Sequence, residues 1–372
     1  MAPSKQISAP SLLFELVEEI LQRTPIKALF RFKSVSKQWY ALFNDKRFFY
    51  KHLDHSKEGF MLSVHKSFKL FNVEPKALLS LPKPDELHNC NMIHCDGLLL
   101  CSYAKICKDG HETRKLAVWN PVLSRVIWIE PSSTYKTSDV FGFGYDNVSR
   151  DNYKILRINY KKAKAPEIEI YEFKSKLWRS VNATLECCPP YKHVSLKGDM
   201  YWTSEKNKMV DKKNEMFIQS FDFSTETFKP ICCVPNGICV SSDNRVVLSG
   251  FGGDRLAILQ QHKRVKFEVW VTSKVGDDDG VVSWSKYYNA SLRHDPSKVR
   301  SSFLTDFILK TNKIMLLYEE IDVRKKDIYT NVYEMGDDGE IKKQVEMMTR
   351  RYRSGYRSFC SVYVPSLVPV PE

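Results

Sequence analysis

Long apolar runs are missing from this 372-residue chain, and none approaches the roughly 20 residues that a membrane-spanning helix needs. The opening residues Met1-Ala2-Pro3-Ser4-Lys5-Gln6 hold no apolar stretch of the signal-peptide kind. We expect a protein made and kept in the nucleus or the cytoplasm, with no membrane partner. Its ten cysteines then read as reduced thiols rather than as a disulfide framework. None precedes Cys90, and the adjacent pairs Cys187-Cys188 and Cys232-Cys233 read as small buried hydrophobes.

Signatures of catalysis and of cofactors are missing as well. There is no G-x-S-x-G elbow, and no Ser-His-Asp or Cys-His arrangement stands out. Gly142-Phe143-Gly144 and Gly250-Phe251-Gly252-Gly253 complete neither a dinucleotide loop nor a P-loop with its lysine. Both read as turns that need glycine's positive φ. Cys90, His94, Cys95, Cys101, Cys107 and His111 form a tempting metal cluster. Structural zinc, however, takes converging ligands in tight pairs, whereas Cys95 and Cys101 flank an apolar strand. The expectation is no metal, no cofactor and no reaction catalysed by this chain.

What is present is ordinary globular composition, 43% hydrophobic and 27% charged, enough for one large domain and a small one. Aromatics at 12% favour strands over helices. The net charge of +13 would attract a polyanion, but the lysines are scattered rather than striped, so nucleic acid is the minor reading.

Helical periodicity is confined to the first fifty residues. Leu12, Leu16 and Ile20 recur at i, i+4 and i+8 beside Leu13, Val17 and Leu21, with Glu15, Glu18 and Glu19 on the polar side. Ser11 suits the N-cap, and Thr24-Pro25 ends the helix. Shorter helices follow: one from Ile26, one carrying Val35, Trp39, Leu42 and Phe43, and one holding Phe48, Phe49 and Leu53. So small a bundle is marginal alone and has more apolar side chains than it can hide. It should bury the surplus against another protein.

The run from Leu16 to Trp39 resembles the F-box, especially its plant form. It has a leucine-rich first helix, Arg23-Thr24-Pro25, then Lys27-Ala28-Leu29-Phe30-Arg31-Phe32, then Val35-Ser36-Lys37-Gln38-Trp39. It departs from that pattern at Leu13 (usually proline), Thr24 (usually leucine) and Ser36 (usually cysteine). The resemblance implies that residues 10–55 grip a Skp-type adaptor, and through it a cullin and a RING protein. The contacts would fall to Leu12, Leu13, Leu16, Ile20, Leu21, Pro25, Leu29, Phe32, Val35, Trp39 and Leu42. Residues 1–9 are read as a flexible tail.

From Gly59 the chain turns to short β-branched and aromatic runs. A phrase of the form apolar-x-apolar-aromatic ends at Phe71, Trp119, Tyr171, Phe221, Trp270 and, more weakly, Tyr333, at intervals of 48, 52, 50, 49 and 63. A second strand precedes most of these, as in Gly97–Cys101, Tyr153–Leu156 and Lys313–Leu317. A period near 50 is kelch-like, so residues 56–372 are expected to form an all-β, six-bladed propeller, the whole chain being an α+β multidomain protein. The last strand, Phe359–Val364, would pair with the first, Gly59–Val64, to close the ring. A β-sandwich or stacked sheets is the alternative architecture.

This region is similar to the F-box-associated domain of plant F-box proteins. Cys95-Asp96-Gly97, Val118-Trp119-Asn120-Pro121, Phe141–Asp146, Asp151–Ile155, Val194–Trp202 and Phe221-Asp222-Phe223 carry the likeness, in order. It implies a domain that binds a protein substrate and a chain that serves as receptor subunit of an SCF-type ubiquitin ligase. Loops that break the repeat are the places for recognition, namely Lys161–Pro166, Lys206–Asn214, Gly276–Gly280 and Arg350–Arg357. Among them Arg350, Arg351, Arg353, Asp277 and Asp278 are the candidate substrate contacts. A ligase-independent interaction propeller and a basic nucleic-acid-binding propeller are the rival readings.

Overall fold

The computed structural model describes residues 14–32, 35–64, 67–71, 79–82, 84, 87, 90–106, 112–136, 138–159, 166–185, 193–206, 215–239, 244–263, 266–276, 282–291, 301–310, 313–322, 324–336, 338–351 and 360–372. The expected tail 1–9 lies outside them.

Four helices come first: α1 (Phe14–Gln22), α2 (Ile26–Phe32), α3 (Lys37–Phe43) and α4 (Lys46–His55). α1 stops before Thr24-Pro25, as the proline requires. Ser36 caps α3 by accepting from the Trp39 N–H at 3.1 Å, so this departure from the usual cysteine supplies a helix start. Asp45 does the same for α4, accepting from the N–H groups of Arg47 and Phe48 at 2.9 and 3.2 Å.

Six four-stranded antiparallel sheets follow. The first holds β1 (Gly59–Val64), β2 (Ser67–Phe71) and β3 (Leu79–Pro82). The second is β4 (Asn91–Cys95), β5 (Leu98–Ile106), β6 (Glu112–Asn120) and β7 (Arg125–Ile129). The third is β8 (Val140–Tyr145), β9 (Tyr153–Asn159), β10 (Glu167–Glu172) and β11 (Leu177–Ser180). The fourth is β12 (Val194–Leu196), β13 (Asp199–Lys206), β14 (Glu215–Asp222) and β15 (Thr227–Cys233). The fifth is β16 (Asn244–Phe251), β17 (Arg255–His262), β18 (Lys266–Thr272) and β19 (Trp284–Ser291). The sixth is β20 (Ser301–Lys310), β21 (Lys313–Asp322), β22 (Asp327–Gly336) and β23 (Ile341–Arg351). The last strand, β24 (Cys360–Tyr363), joins the first sheet as its inner strand, with Gly59 opposite Tyr363 and Leu62 opposite Cys360. The chain is a six-bladed β-propeller closed by strands from both ends of the β region. Every apolar-x-apolar-aromatic phrase forms part of the third strand of its blade, and the preceding apolar strand is the second.

Neighbouring blades are tied in repeated ways. At the start of the fourth strand in blades three and five, an indole N–H reaches back to the preceding blade: Trp178 to the Glu130 carbonyl at 2.9 Å, Trp284 to the Cys233 carbonyl at 3.0 Å. Gly142 and Gly144 correct the sequence reading, since both lie inside β8 and neither has positive φ. What they provide is close approach: a Cβ on Gly144 would sit 1.9 Å from the Gly198 carbonyl oxygen of the next blade. Gly252 and Gly253, at φ 64° and 79°, do occupy the expected turn.

The helical bundle is not a free-standing module. Leu21, Ile26, Leu29, Phe43, Phe48 and Leu53 share one buried cluster with Leu98, Val118, Phe143 and Tyr153 of blades two and three, and with Leu367, Val368 and Val370. Part of the bundle's apolar surface, Leu21 and Leu29 included, is therefore covered inside the same chain. The final segment, after β24, acts as a strap. Asn120, wholly buried, donates its amide to the carbonyls of Ser366 and Val368 at 3.1 and 2.7 Å and accepts from the Val122 and Leu123 N–H groups.

Candidate interaction surfaces

Two surfaces and one joint bear on what the molecule can do. On the helical bundle, α1 presents Leu16 and Ile20 to solvent at 46% and 58% exposure, four residues apart and so on one face. Val35, between α2 and α3, is 61% exposed, Tyr40 on α3 is 54% exposed, and Pro25 is exposed too. Phe32, Trp39 and Leu42 are half-buried, and the Phe32 and Trp39 rings meet edge to face at 5.5 Å. Leu21 and Leu29, expected on the same outward surface, are 3% and 1% exposed and belong to the internal core instead. They point into the bundle because the helical stripe is wide, and its inner edge is taken by the propeller. Leu12 and Leu13 lie outside the described residues.

The joint between helices and blades is polar at its rim. Arg150, between β8 and β9, bonds Asp96 at 2.9 Å and Asp54 of α4 at 3.0 Å. Its guanidinium sits 4.5 Å over the Tyr50 ring, and the Tyr50 hydroxyl donates to the Arg150 carbonyl at 2.7 Å. Lys46 meets Asp151 at 2.7 Å, and the Tyr153 hydroxyl donates to Asp96 at 3.3 Å. Burial pushes the Asp96 carboxyl up, and the bonds from Arg150 hold it back. None of these partners carries a local sequence signal. Asp96, Asp151 and Tyr153 lie within stretches that carry the family likeness, but 54 residues separate Asp96 from Arg150 and only the fold joins them.

The propeller offers a central cavity of about 970 Å³. It is walled by the inner strands of all six blades and capped by Leu53, Asp54 and Ser56 from the end of α4. His94 lies at its wall but is already committed. Its Nε2 accepts from the Gly97 and Val364 N–H groups at 3.0 and 3.4 Å, and burial pushes its pKa down to about 4. Cys90, Cys95 and Cys101 are buried thiols, and among the described residues no group of three metal-ligating side chains converges. Cys107 and His111 lie outside those residues. Of the candidate substrate contacts, Arg350 and Arg351 are the last residues of β23, while Arg353, Asp277 and Asp278 lie outside the described residues.

Comparison with known proteins agrees with this layout. The F-box domain family matches residues 10–51, and the F-box associated beta propeller domain matches residues 53–370. An Arabidopsis thaliana chain provisionally named as an F-box protein is 43% identical, the alignment covering 97% of this chain and 99% of that one. An F-box protein of the same plant is 39% identical with both chains covered in full, and its F-box/WD-40 repeat-containing protein 1 is 39% identical over 97% of this chain and 89% of the relative. Among solved structures, the β-propeller domain of the Trilobed protease from Pyrococcus furiosus aligns at TM-score 0.35 and 12% identity, over 70% of this chain and 85% of that one, a likeness too weak to argue from. On the family matches and the full-length relatives, the chain belongs to the plant F-box proteins that join an F-box to an F-box-associated β-propeller.

Proposed function

We propose that this protein is the substrate-receptor subunit of an SCF-type ubiquitin ligase. The observation that carries the reading is the apolar surface left uncovered on the F-box, Leu16, Ile20 and Val35, after the propeller has taken the inner face. A Skp-type adaptor would cover that surface and link the chain to a cullin and a RING protein. The propeller would hold a protein substrate, for which the basic end of β23 is the first place to look. The chain would catalyse nothing itself. Its contribution would be geometric, because holding a substrate lysine near the conjugating enzyme raises its effective concentration. The ion-paired joint supports this role, since it fixes the F-box against the propeller. The expected nuclear or cytoplasmic location goes with the reading.

The test is adaptor capture. Leu16 is surface-exposed, so Leu16→Asp should leave the melting temperature unchanged. Burying the new carboxylate under an adaptor costs several kcal/mol, most of the roughly 8 kcal/mol of a micromolar complex. Loss of co-purifying adaptor is the expected result. A folded mutant that still captures adaptor at wild-type strength would show the interface misplaced. A wild-type chain that captures none would favour the ligase-independent interaction propeller.

A further inference from the structure

The central cavity carries charge of the opposite sign to the chain. Its described wall holds five carboxylates, Asp54, Glu58, Asp96, Asp139 and Asp306, against two cations, Arg150 and Lys310. That is a formal excess of three negative charges inside a protein of net charge +13. A cleft of one sign with low-dielectric walls concentrates its field on whatever enters. Most of these groups are engaged. Arg150 lies between Asp54 and Asp96, Asp139 meets Arg157 behind the wall at 2.6 Å, and Asp306 accepts from the Val362 N–H at 3.3 Å.

One lining side chain differs. Glu58, in the link from α4 to β1, makes no hydrogen bond or ion pair with any described residue, and the charges it feels are Lys310, attractive, and Asp306, repulsive. Lys310, at the end of β20, is itself surrounded by Lys57, Lys313 and Glu334. A carboxylate left without such a partner is costly inside a protein. At about 970 Å³ the cavity lies at the upper end of the roughly 300–1,000 Å³ usual for small-molecule sites. Val140, Phe141, Leu248 and Val362 add apolar wall.

We propose that this cavity binds a small organic cation, an ammonium group on an apolar body, with Glu58 as its counter-charge. The ligand would touch Leu53 and Asp54 of α4 as well as the blades, so its binding would stabilise the F-box packed on the propeller. This inference does not rest on the ligase reading.

The chemistry of Glu58 sets a pH dependence. Burial pushes its carboxyl up to about 7, Lys310 opposing and Asp306 adding. The cation pairs with the ionised form, so affinity is full above that value and falls as pH drops through it.

The experiment is calorimetric titration of the full-length protein with phenethylamine, 2-phenylethanol and phenylacetate, which share one body and differ in charge. At pH 8 phenethylamine should bind best, weakening about tenfold at pH 6 as Glu58 protonates. Glu58→Gln, nearly isosteric, should remove both the preference and the pH dependence. Three results overturn the proposal: phenylacetate or phenylethanol binding as well as the amine, no binding of any probe at millimolar concentration, or amine binding by the wild type that ignores pH. The wild-type measurements decide the matter even where the variant fails to fold.

Discussion

Arg157 lies wholly inside blade three, where its guanidinium bonds Asp139 at 2.6 Å, the Thr134 hydroxyl and carbonyl at 2.7 and 2.8 Å, and Glu169. One side chain thereby pins the crossing segment between blades two and three to β9 and β10. Removing one member of a buried ion pair strands the others, so Arg157→Met should cost about 3–5 kcal/mol, read from the denaturant midpoint. A loss under about 1 kcal/mol would mean that water already solvates Asp139. His94 works differently, as an acceptor for two backbone N–H groups in its neutral form. Its folded pKa is pushed down to about 4 from 6.5, so the unfolded chain takes up the proton first. Its contribution to stability is full above 6.5 and is lost as pH falls towards 4, at no more than about 1.4 kcal/mol per pH unit. His94→Gln keeps an acceptor without titrating, and its melting temperature should fall less steeply between pH 6.5 and pH 4 than that of the wild type. Equal slopes would assign the acid sensitivity elsewhere.

At the scale of elements, the ring depends on its last strand and on the strap beyond it. Without β24, β1 would present an unpaired inner edge, and Tyr363, wholly buried, would no longer donate to the Gly97 carbonyl at 3.0 Å. A chain cut after Arg357 should aggregate or lose its single cooperative transition, and one that melts like the full chain would refute this closure. The strap allows a finer test. Asn120→Asp turns a donor aimed at two carbonyls into a carboxylate, leaving two buried acceptors unmade at about 1–3 kcal/mol each. Thermal melting should register that loss. The tight turn at Asp96-Gly97, with φ of 51° and 79°, sets the strap's route, since a Cβ on Gly97 would lie 2.1 Å from the Ser366 Cβ.

At the scale of the molecule, the helices and the propeller behave as one body because both apolar and ionic contacts cross between them. Arg150→Ala removes the bonds to Asp54 and Asp96 and the contact with the Tyr50 ring. It should speed proteolytic cleavage in the link between α4 and β1. Unchanged cleavage would show that the buried cluster alone holds the joint.

The residue pattern by itself determined the four short helices, the six-fold repeat, and the pairing of both chain ends in one blade. The first two follow from local periodicity: apolar residues at helical spacing in the first fifty positions, and an aromatic at the end of one phrase per blade. Ring closure was legible because an open ring leaves edges. Only the tertiary structure decided which face of each apolar stripe stays outside. Leu16 and Leu21 belong to one helical pattern, yet Leu16 is 46% exposed and Leu21 is 3% exposed, because the propeller covers one edge of α1. It also decided the roles of Gly144, Asn120, Arg150 and Glu58, whose partners are distant in sequence or absent among the described side chains. Local periodicity reports which residues prefer burial, but not the partner that buries them. That depends on contacts such as Asn120 with Val368, 248 positions apart, which arise only once the ring has closed.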